Sequence, residues 1–528
     1  MGYRIVLTAD RSLTSEYRHV PLLDFLACAP SERVPEFLFD FLAPQVPHHD
    51  GVLPYAPYGL RKVEAALLRD YKRSDVVVAH PDHVEKFIDE KTKIVGINTM
   101  DPLSLGPLSL GFTGGVFKSY SQKFFLDLIY RLNYLREKHG YKFKITVGGP
   151  GALYLSFRPH QVEQLNIDYV VVGEIDHMIP YLFHEMEEDG LPRISVFKKG
   201  PRIEEIPDIV NPSIHGLVEV MRGCGRGCEF CEPNLRYARY MPIEKILREI
   251  RVNTSAGLHN AWVHSEDIFL YQLEDWKTFM PNTDALIELF SAIMNIPGIR
   301  HSNPTHGTIA PAVADPDMIS KLSKILRASH EHWIGIQTGL ETGSGHLLWD
   351  YMRNKMKPFT PDEWFDVVIN GTAILNQNYW FPAFTLIIGL PGETEEDAWE
   401  TVRLIDAMER YLPETIGGKA HFTVTPLFFS PLGVLKGEEF FNIEELNEGQ
   451  MAVIYRAWRH IMIELNNLPP KLIKLNPPLK LAFKIIAKFG AWAVINYIKW
   501  FAKKKGFDVD KFMRVRAEKR PKIEVIAR

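Results

Sequence analysis

Short apolar, β-branched runs alternate with stretches of helical periodicity along most of the chain. Arg4 to Thr8, Asp75 to Ala79, Ile94 to Thr99, Lys144 to Val147 and Tyr169 to Val172 read as strands, separated by amphipathic stretches such as Tyr120 to Glu137. That alternation predicts a doubly wound parallel sheet, a Rossmann-like arrangement whose ligands bind outside the carboxyl ends of the strands. From about Gly216 to Phe429 the pattern repeats. Its strand candidates are Leu217 to Met221, Ala261 to His264, Arg300 to Thr305, Trp333 to Thr338, Ala383 to Ile388 and His421 to Pro426, with helical periodicity in Ile243 to Asn253 and Glu395 to Tyr411. Six βα units predict a partial (β/α)6 barrel with its active residues at the carboxyl ends of the strands. The fold class is therefore α/β: residues 1–195 form the Rossmann-like domain, 196–435 the partial barrel, and 436–528 a mainly helical C-terminal domain.

Composition narrows the class further. With 528 residues, 46% hydrophobic and 24% charged, the chain reads as an ordinary globular protein of two or three domains. A net charge of -4 gives no reason to expect a nucleic-acid partner. Four cysteines and the lack of an export signal place it in the reducing cytoplasm. No stretch approaches the roughly 20 uncharged apolar residues needed to span a bilayer. From Leu465 to Phe507 there are nine lysines and no Asp or Glu, with Lys480, Lys484 and Lys488 spaced four apart beside Phe483, Ile486, Phe489 and Trp492. Such a segment can touch an anionic membrane or an acidic partner peripherally, or close the barrel as a packed helix whose lysines reach outward; the packed helix is expected.

Three of the four cysteines, Cys224, Cys228 and Cys231, fall within Arg222-Gly-Cys-Gly-Arg-Gly-Cys-Glu-Phe-Cys231, just after a strand candidate. Three thiolates gathered on one loop can hold three irons of a four-iron, four-sulfur cluster and leave the fourth open to a small molecule. A structural zinc site would want a fourth Cys or His, and no second CxxC exists. A disulfide framework does not suit so few cysteines.

The pattern CxxxCx(aromatic)C, with Phe230 before the last cysteine, resembles the signature of radical S-adenosylmethionine (SAM) enzymes, whose open iron chelates the methionine end of SAM. Ser265-Glu266-Asp267 follows the second barrel strand, where such enzymes carry an acidic motif for the SAM ammonium; the alternative is a helix N-cap. The stretch Gly335 to Ser344 resembles the family's "GxExGS" turn, which makes Gln337, Thr338 and Glu341 the candidates near the SAM ribose and amino acid. Gly389 to Thr394 is similar to the recurrent "GLPGE" turn. Its role reads as mostly structural, with Thr394, Glu395, Glu396 and Asp397 starting a helix. The stretch from Thr425 to Gly433 faces substrate in relatives.

Upstream, the long glycine-rich segment Ile97 to Gly115 exceeds the about two to six residues of a simple strand-to-helix turn. It contains Asn98 and Thr99, and the turns Val147-Gly148-Gly149-Pro-Gly and Val172-Gly173-Glu174 follow the next two strands. These turns resemble the cobalamin-binding domain found ahead of many radical SAM cores, where they border the corrin. The DxHxxG motif that supplies histidine to cobalt elsewhere is absent, since His80, His83 and His177 do not sit in it. Cys28 stands alone and reads as a buried thiol.

The resemblance implies a cobalamin-dependent radical SAM C-methyltransferase with a 4Fe-4S cluster, SAM and cobalamin as cofactors. Reduction of the cluster by an external donor of ferredoxin or flavodoxin type would generate a 5′-deoxyadenosyl radical, and methylcobalamin would deliver methyl to an unactivated carbon. A protein or peptide substrate is ranked first, because relatives include archaeal enzymes that modify a glutamine of methyl-coenzyme M reductase. The alternatives are carbon–carbon bond formation in archaeal membrane lipids and a redox-sensing iron–sulfur protein. A methylthiotransferase would need another cysteine-held cluster.

Overall fold

A computed structural model gives the fold and describes residues 2–17, 23–467 and 476–522. The chain divides into two compact units, 1–218 with 244–260, and 219–243 with 261–528.

The first unit is built on a six-stranded sheet of β1 (Ile5–Ala9), β2 (Val76–Val78), β3 (Ile94–Asn98), β4 (Lys144–Gly148), β5 (Tyr169–Val172) and β6 (Ile194–Val196), in the order β2-β1-β3-β4-β5-β6. Every pairing is parallel, with Ile5 opposite Ile94 and Ile94 opposite Lys144. Alternating residues feed two cores. Val6, Val95, Ile145 and Val170 pack with Phe125, Leu128 and Leu132, whereas Ile5, Leu7, Val76 and Val171 pack with Leu60, Leu182 and Phe183. Burial on both faces explains strands that read as continuous apolar runs. Helix α1 (Tyr120–His139) starts where the Ser119 hydroxyl accepts from Gln122 N and stops at the left-handed Gly140. The order reverses between β1 and β3, so their carboxyl ends form the switch point of the sheet.

Strand β6 was not expected. It is three residues long, lies at the sheet edge and is only partly buried, so it carries little apolar signal. The Ile97 to Gly115 segment is not an open loop either. Pro107–Thr113 is a helix within it, and Asp101 ties its approach by accepting from Leu105 N (2.9 Å) and Gly106 N (3.0 Å).

In the second part all six expected strands form: β7 (Leu217–Glu219), β8 (Asn260–His264), β9 (His301–Pro304), β10 (Ile334–Glu341), β11 (Trp380–Ile388) and β12 (Thr423–Phe428). They make two three-stranded sheets, β9-β8-β7 and β10-β11-β12. The gap between the sheets is bridged where Gln337 N donates to Thr305 O (2.9 Å) and Gly307 N to Gln337 O (3.1 Å), which completes a partial barrel. Helix α2 (Ile243–Ser255) belongs mostly with the first unit, where Lys62 pairs with its Glu249 in nearly complete burial. Helix α3 (Glu395–Ile416) begins in a capping box between Thr394 and Asp397, as its acidic start implied. Helices α4 (Glu448–Asn467) and α5 (Pro477–Lys504) follow. The fully buried Arg456 of α4 reaches Phe512 O and Val515 O at 2.8 Å each, fastening the C-terminal segment to the barrel's outer layer.

Candidate active site

The three cysteines lie between two short antiparallel strands, Met221–Arg222 and Arg239–Tyr240. Gly223, Gly225 and Gly227 all take left-handed φ values of 76°, 80° and 77°, a conformation that lets the loop turn back repeatedly. Cys224 and Cys228 are buried, Cys231 and Phe230 half-buried, and no cysteine is in a disulfide. Burial pushes the Cys224 and Cys228 thiols up; Asp267 adds to this at Cys224, and Lys355 opposes it at Cys228. Buried thiolates therefore need a cationic partner. Among the described residues no three His, Cys, Asp or Glu side chains converge on a single ion, and a closed tetrahedral zinc site would want a fourth Cys or His beside the three thiols. An all-sulfur donor set on one loop fits an iron–sulfur cluster.

Three elements hold this loop. Arg226, between the first two cysteines, has its Nε 2.7 Å from Asp267 Oδ2, with both side chains 1% exposed. Its Nη1 donates to Asn354 O (2.8 Å), and its guanidinium lies 5.1 Å from the Phe279 ring. Asp267 Oδ2 also accepts from Thr308 Oγ1 (2.8 Å), and Oδ1 accepts from Phe269 N and Thr308 N (3.2 Å each). On another side Glu229 N donates to Tyr351 O (2.9 Å), and Tyr351 Oη donates to Pro391 O (2.7 Å) in the "GLPGE" turn. The turn after β12 closes the set: Val434 N donates to Glu229 O (2.7 Å), and a Cβ on Gly433 (φ 60°) would sit 2.4 Å from that oxygen.

Asp267 is thus fully engaged. It caps the turn Ile268–Leu270 and neutralises Arg226, the N-cap alternative rather than a free carboxylate for an ammonium. Glu266, beside it, keeps Oε2 buried without a hydrogen-bond partner, and burial raises its pKa, with His264 working the other way. Ser265 is fully buried with Oγ also unpartnered. Gln337 and Thr338 fall on opposite faces of β10. Thr338 sits with Ile336 and Leu340 on the buried face, its hydroxyl unpartnered, and Gln337 shares the half-buried face with Gly335 and Gly339. Glu341, at φ 65° beside a bulge, accepts from buried Lys355 Nζ (2.8 Å). Burial works against the charge on Lys355, but Glu341 and the Cys228 and Cys231 sulfurs outweigh it and raise its pKa.

In the first unit, Asn98, Thr99, Gly148 and Gly149 meet at the carboxyl ends of β3 and β4, where Thr99 N donates to Gly148 O (3.2 Å). Two of the expected glycines are required by the protein's own packing. A Cβ on Gly149 would lie 2.0 Å from Asn98 Oδ1, and one on Gly173 2.2 Å from Phe197 O. Gly148 faces open space, and Glu174 is half-buried. At the switch point Asp10 and Thr99 are both fully buried, and the Thr99 side chain interacts weakly with the Asp10 carboxylate. Burial pushes the Asp10 carboxyl up to about 6 against hydrogen bonds from Ser12. Buried polar side chains gathered at the ligand end of such a sheet fit a polar cofactor better than a purely apolar core.

Residues 218–405 match the Radical SAM superfamily profile. The barrel has the fold of a radical SAM domain. The chain is 24% identical over 255 residues to the tRNA-2-methylthio-N(6)-dimethylallyladenosine synthase of Alteromonas mediterranea, covering 46% of this chain and 48% of that one. It is 22% identical over 335 residues to the enzyme of the same name from Leptothrix cholodnii, covering 61% and 65%. The chain thus spans about half to two thirds of the length of these relatives. Among solved structures, the radical SAM methyltransferase TsrM from Kitasatospora setae, with cobalamin and a 4Fe-4S cluster bound, has the same fold at TM-score 0.50 and 15% identity, over 82% of this chain and 77% of that one.

Sequence reasoning missed several residues of the radical SAM domain. Arg226 and Lys355 become visible only through partners 41 and 14 residues away. His264 and His306 stand at the ends of β8 and β9 and are linked through Thr305, at 3.3 and 2.8 Å. Burial pulls the pKa of His306 down to about 4, so its imidazole is neutral. Strand-end position was the one signal that could have found this pair.

Proposed function

We propose that the chain is a cobalamin-dependent radical SAM C-methyltransferase acting on an unactivated carbon of a protein or peptide, such as a glutamine-containing segment of methyl-coenzyme M reductase, in the cytoplasm. The observation that carries this reading is the cluster loop, three thiols anchored by buried contacts from both halves of a six-stranded partial barrel. When bound, the cluster and SAM supply a hydrogen-abstracting radical and cobalamin supplies methyl transfer. Cys224, Cys228 and Cys231 would hold the cluster. Glu266 offers its free oxygen to the SAM ammonium, and Gln337 presents an amide on the half-buried face of β10. Neutral His306 can accept a proton near that face. Lys355 keeps a positive charge beside the sulfurs. In the first unit, Thr99, Asp10 and Gly148 would border cobalamin, with no histidine offered to cobalt through a DxHxxG turn. An external ferredoxin- or flavodoxin-type donor would supply electrons. Methylthio transfer, carried in the names of the relatives, is disfavoured because Cys28 is the one thiol outside the loop.

The test is anaerobic reconstitution. About four irons per chain, corrin absorbance after cobalamin is supplied, SAM cleavage on reduction and a peptide gain of one methylene per turnover are expected. Zinc in place of iron, or unchanged SAM cleavage in Cys224→Ala, would overturn the radical reading. Product lacking the methylene gain would overturn the methyl transfer alone.

A further inference from the structure

Helix α5 carries two different faces along its 28 residues. Phe483, Ala491, Ile495, Ile498, Phe501 and Ala502 are buried and pack it onto the rest of its unit. Lys505 Nζ reaches Glu444 Oε2 (2.6 Å), and Lys499 sits over the Tyr455 ring, so the helix is seated at its C-terminal half. The opposite face is a stripe of large apolar groups: Leu481, Ile485, Phe489, Trp492, Tyr497 and Trp500 are 54–68% exposed. Spacings of three to five residues hold them on the side away from the buried face, over about 29 Å at 1.5 Å per residue. Phe489 stacks on Trp492 at 5.7 Å, and Tyr497 lies 5.7 Å from Trp500. A soluble surface rarely leaves so continuous a patch uncovered.

Charge says what covers it. Lys488, Lys503 and Lys504 are exposed along the stripe, and the sequence has no Asp or Glu from Leu465 to Phe507. A protein partner of ordinary composition would meet some carboxylate on the opposing face. An anionic lipid surface instead pairs lysines with phosphates and takes Trp and Tyr rings at headgroup depth. The helix is long and apolar enough, by length and composition, to cross a bilayer. Its longest uncharged run, however, is the ten residues between Lys488 and Lys499, half of the about 20 a span requires. One face is also already occupied by protein.

We propose that α5 docks the protein peripherally on an anionic membrane, lying in the plane of the headgroups with the Leu481-to-Trp500 stripe inserted. The docking stands apart from the chemistry of the barrel. It is tested with the full chain, purified anaerobically, by flotation with vesicles of phosphatidylcholine alone and of phosphatidylcholine with phosphatidylglycerol. Binding to the anionic vesicles should be at least about tenfold tighter and should be released by high salt, since each lysine near such a surface contributes about fivefold. Lys488→Glu with Lys503→Glu should weaken it by about 25-fold or more, and Trp492→Ser with Trp500→Ser by about tenfold or more, with melting temperatures unchanged because all four side chains are exposed. Equal binding to both vesicle types, or none to either, overturns the proposal. Retention through high salt and alkaline carbonate overturns it in favour of a span. A concentration-dependent dimer that the tryptophan variant abolishes, without lipid binding, overturns it in favour of a second copy of the chain.

Discussion

Asp267→Asn isolates what the Arg226 ion pair does for the cluster loop. Asparagine keeps Oδ1 to accept from Phe269 N and Thr308 N, but it sets an NH2 donor where Oδ2 now faces Arg226 Nε at 2.7 Å and Thr308 Oγ1 at 2.8 Å. Donor then faces donor, and a guanidinium that is 1% exposed loses its counter-charge. At an effective dielectric of about 20, unit charges 2.7 Å apart attract by about 6 kcal/mol, much of which offsets desolvation. Removing one partner of such a pair leaves the other charge buried and costs about 3–5 kcal/mol. Chemical denaturation of the cluster-free protein, followed by circular dichroism, should show that loss. Iron per chain after reconstitution should fall as well, because Arg226 sits between two of the thiols. Arg226→Met with Asp267→Leu should recover most of the stability, since an apolar pair of similar volume needs no counter-charge. A change below about 1 kcal/mol in Asp267→Asn, with iron content intact, would refute the view that this pair anchors the loop.

Glu266→Gln should raise the concentration of SAM needed for half-maximal cleavage by about tenfold or more while leaving iron content unchanged, because a charge-assisted contact contributes about 1.5–3 kcal/mol. Equal SAM dependence would remove Glu266 from the site. Gly433→Ala should destabilise by about 2 kcal/mol or more and lower iron content, since left-handed φ is costly for alanine and its Cβ would strike Glu229 O; wild-type iron content would show that the turn does not support the loop. Burial raises the Glu393 carboxyl from 4.5 to about 7, against hydrogen bonds from Gly389 N and Gln450 Nε2. The folded state therefore holds a proton that the unfolded state releases, and stability declines as pH rises from 4.5 to about 7, by up to about 3 kcal/mol. Glu393→Gln should flatten that slope in denaturation midpoints taken across the window; an unchanged slope would assign it to other groups.

Strand placement was legible because apolar runs of four to six residues recur between amphipathic helices, and all eleven expected strands begin within three residues of expectation, from Ile5 to Thr423. The edge strand β6 left no trace, since its one buried residue is the polar Ser195 and its two apolar residues are only partly covered or exposed. The thiol loop was legible from spacing alone. Its supports were not: Arg226 reads as a surface arginine until Asp267 is placed beside it, and Asp267 reads as a ligand for a cation without revealing that the cation is the protein's own. The glycines at 149 and 173 have close neighbours of the protein's own, which spacing alone does not reveal. A sequence shows that a side chain is missing but not whether ligand or backbone fills the space.

The two units interleave along the chain, crossing at 218/219, 243/244 and 260/261, with Glu249 of α2 answering Lys62. A fragment ending at Val218 would leave buried Lys62 without its Glu249 counter-charge, so the amino-terminal half cannot finish folding on the ribosome until some forty further residues have emerged. Cutting the gene once will not yield two independent proteins; separating them requires transplanting a helix.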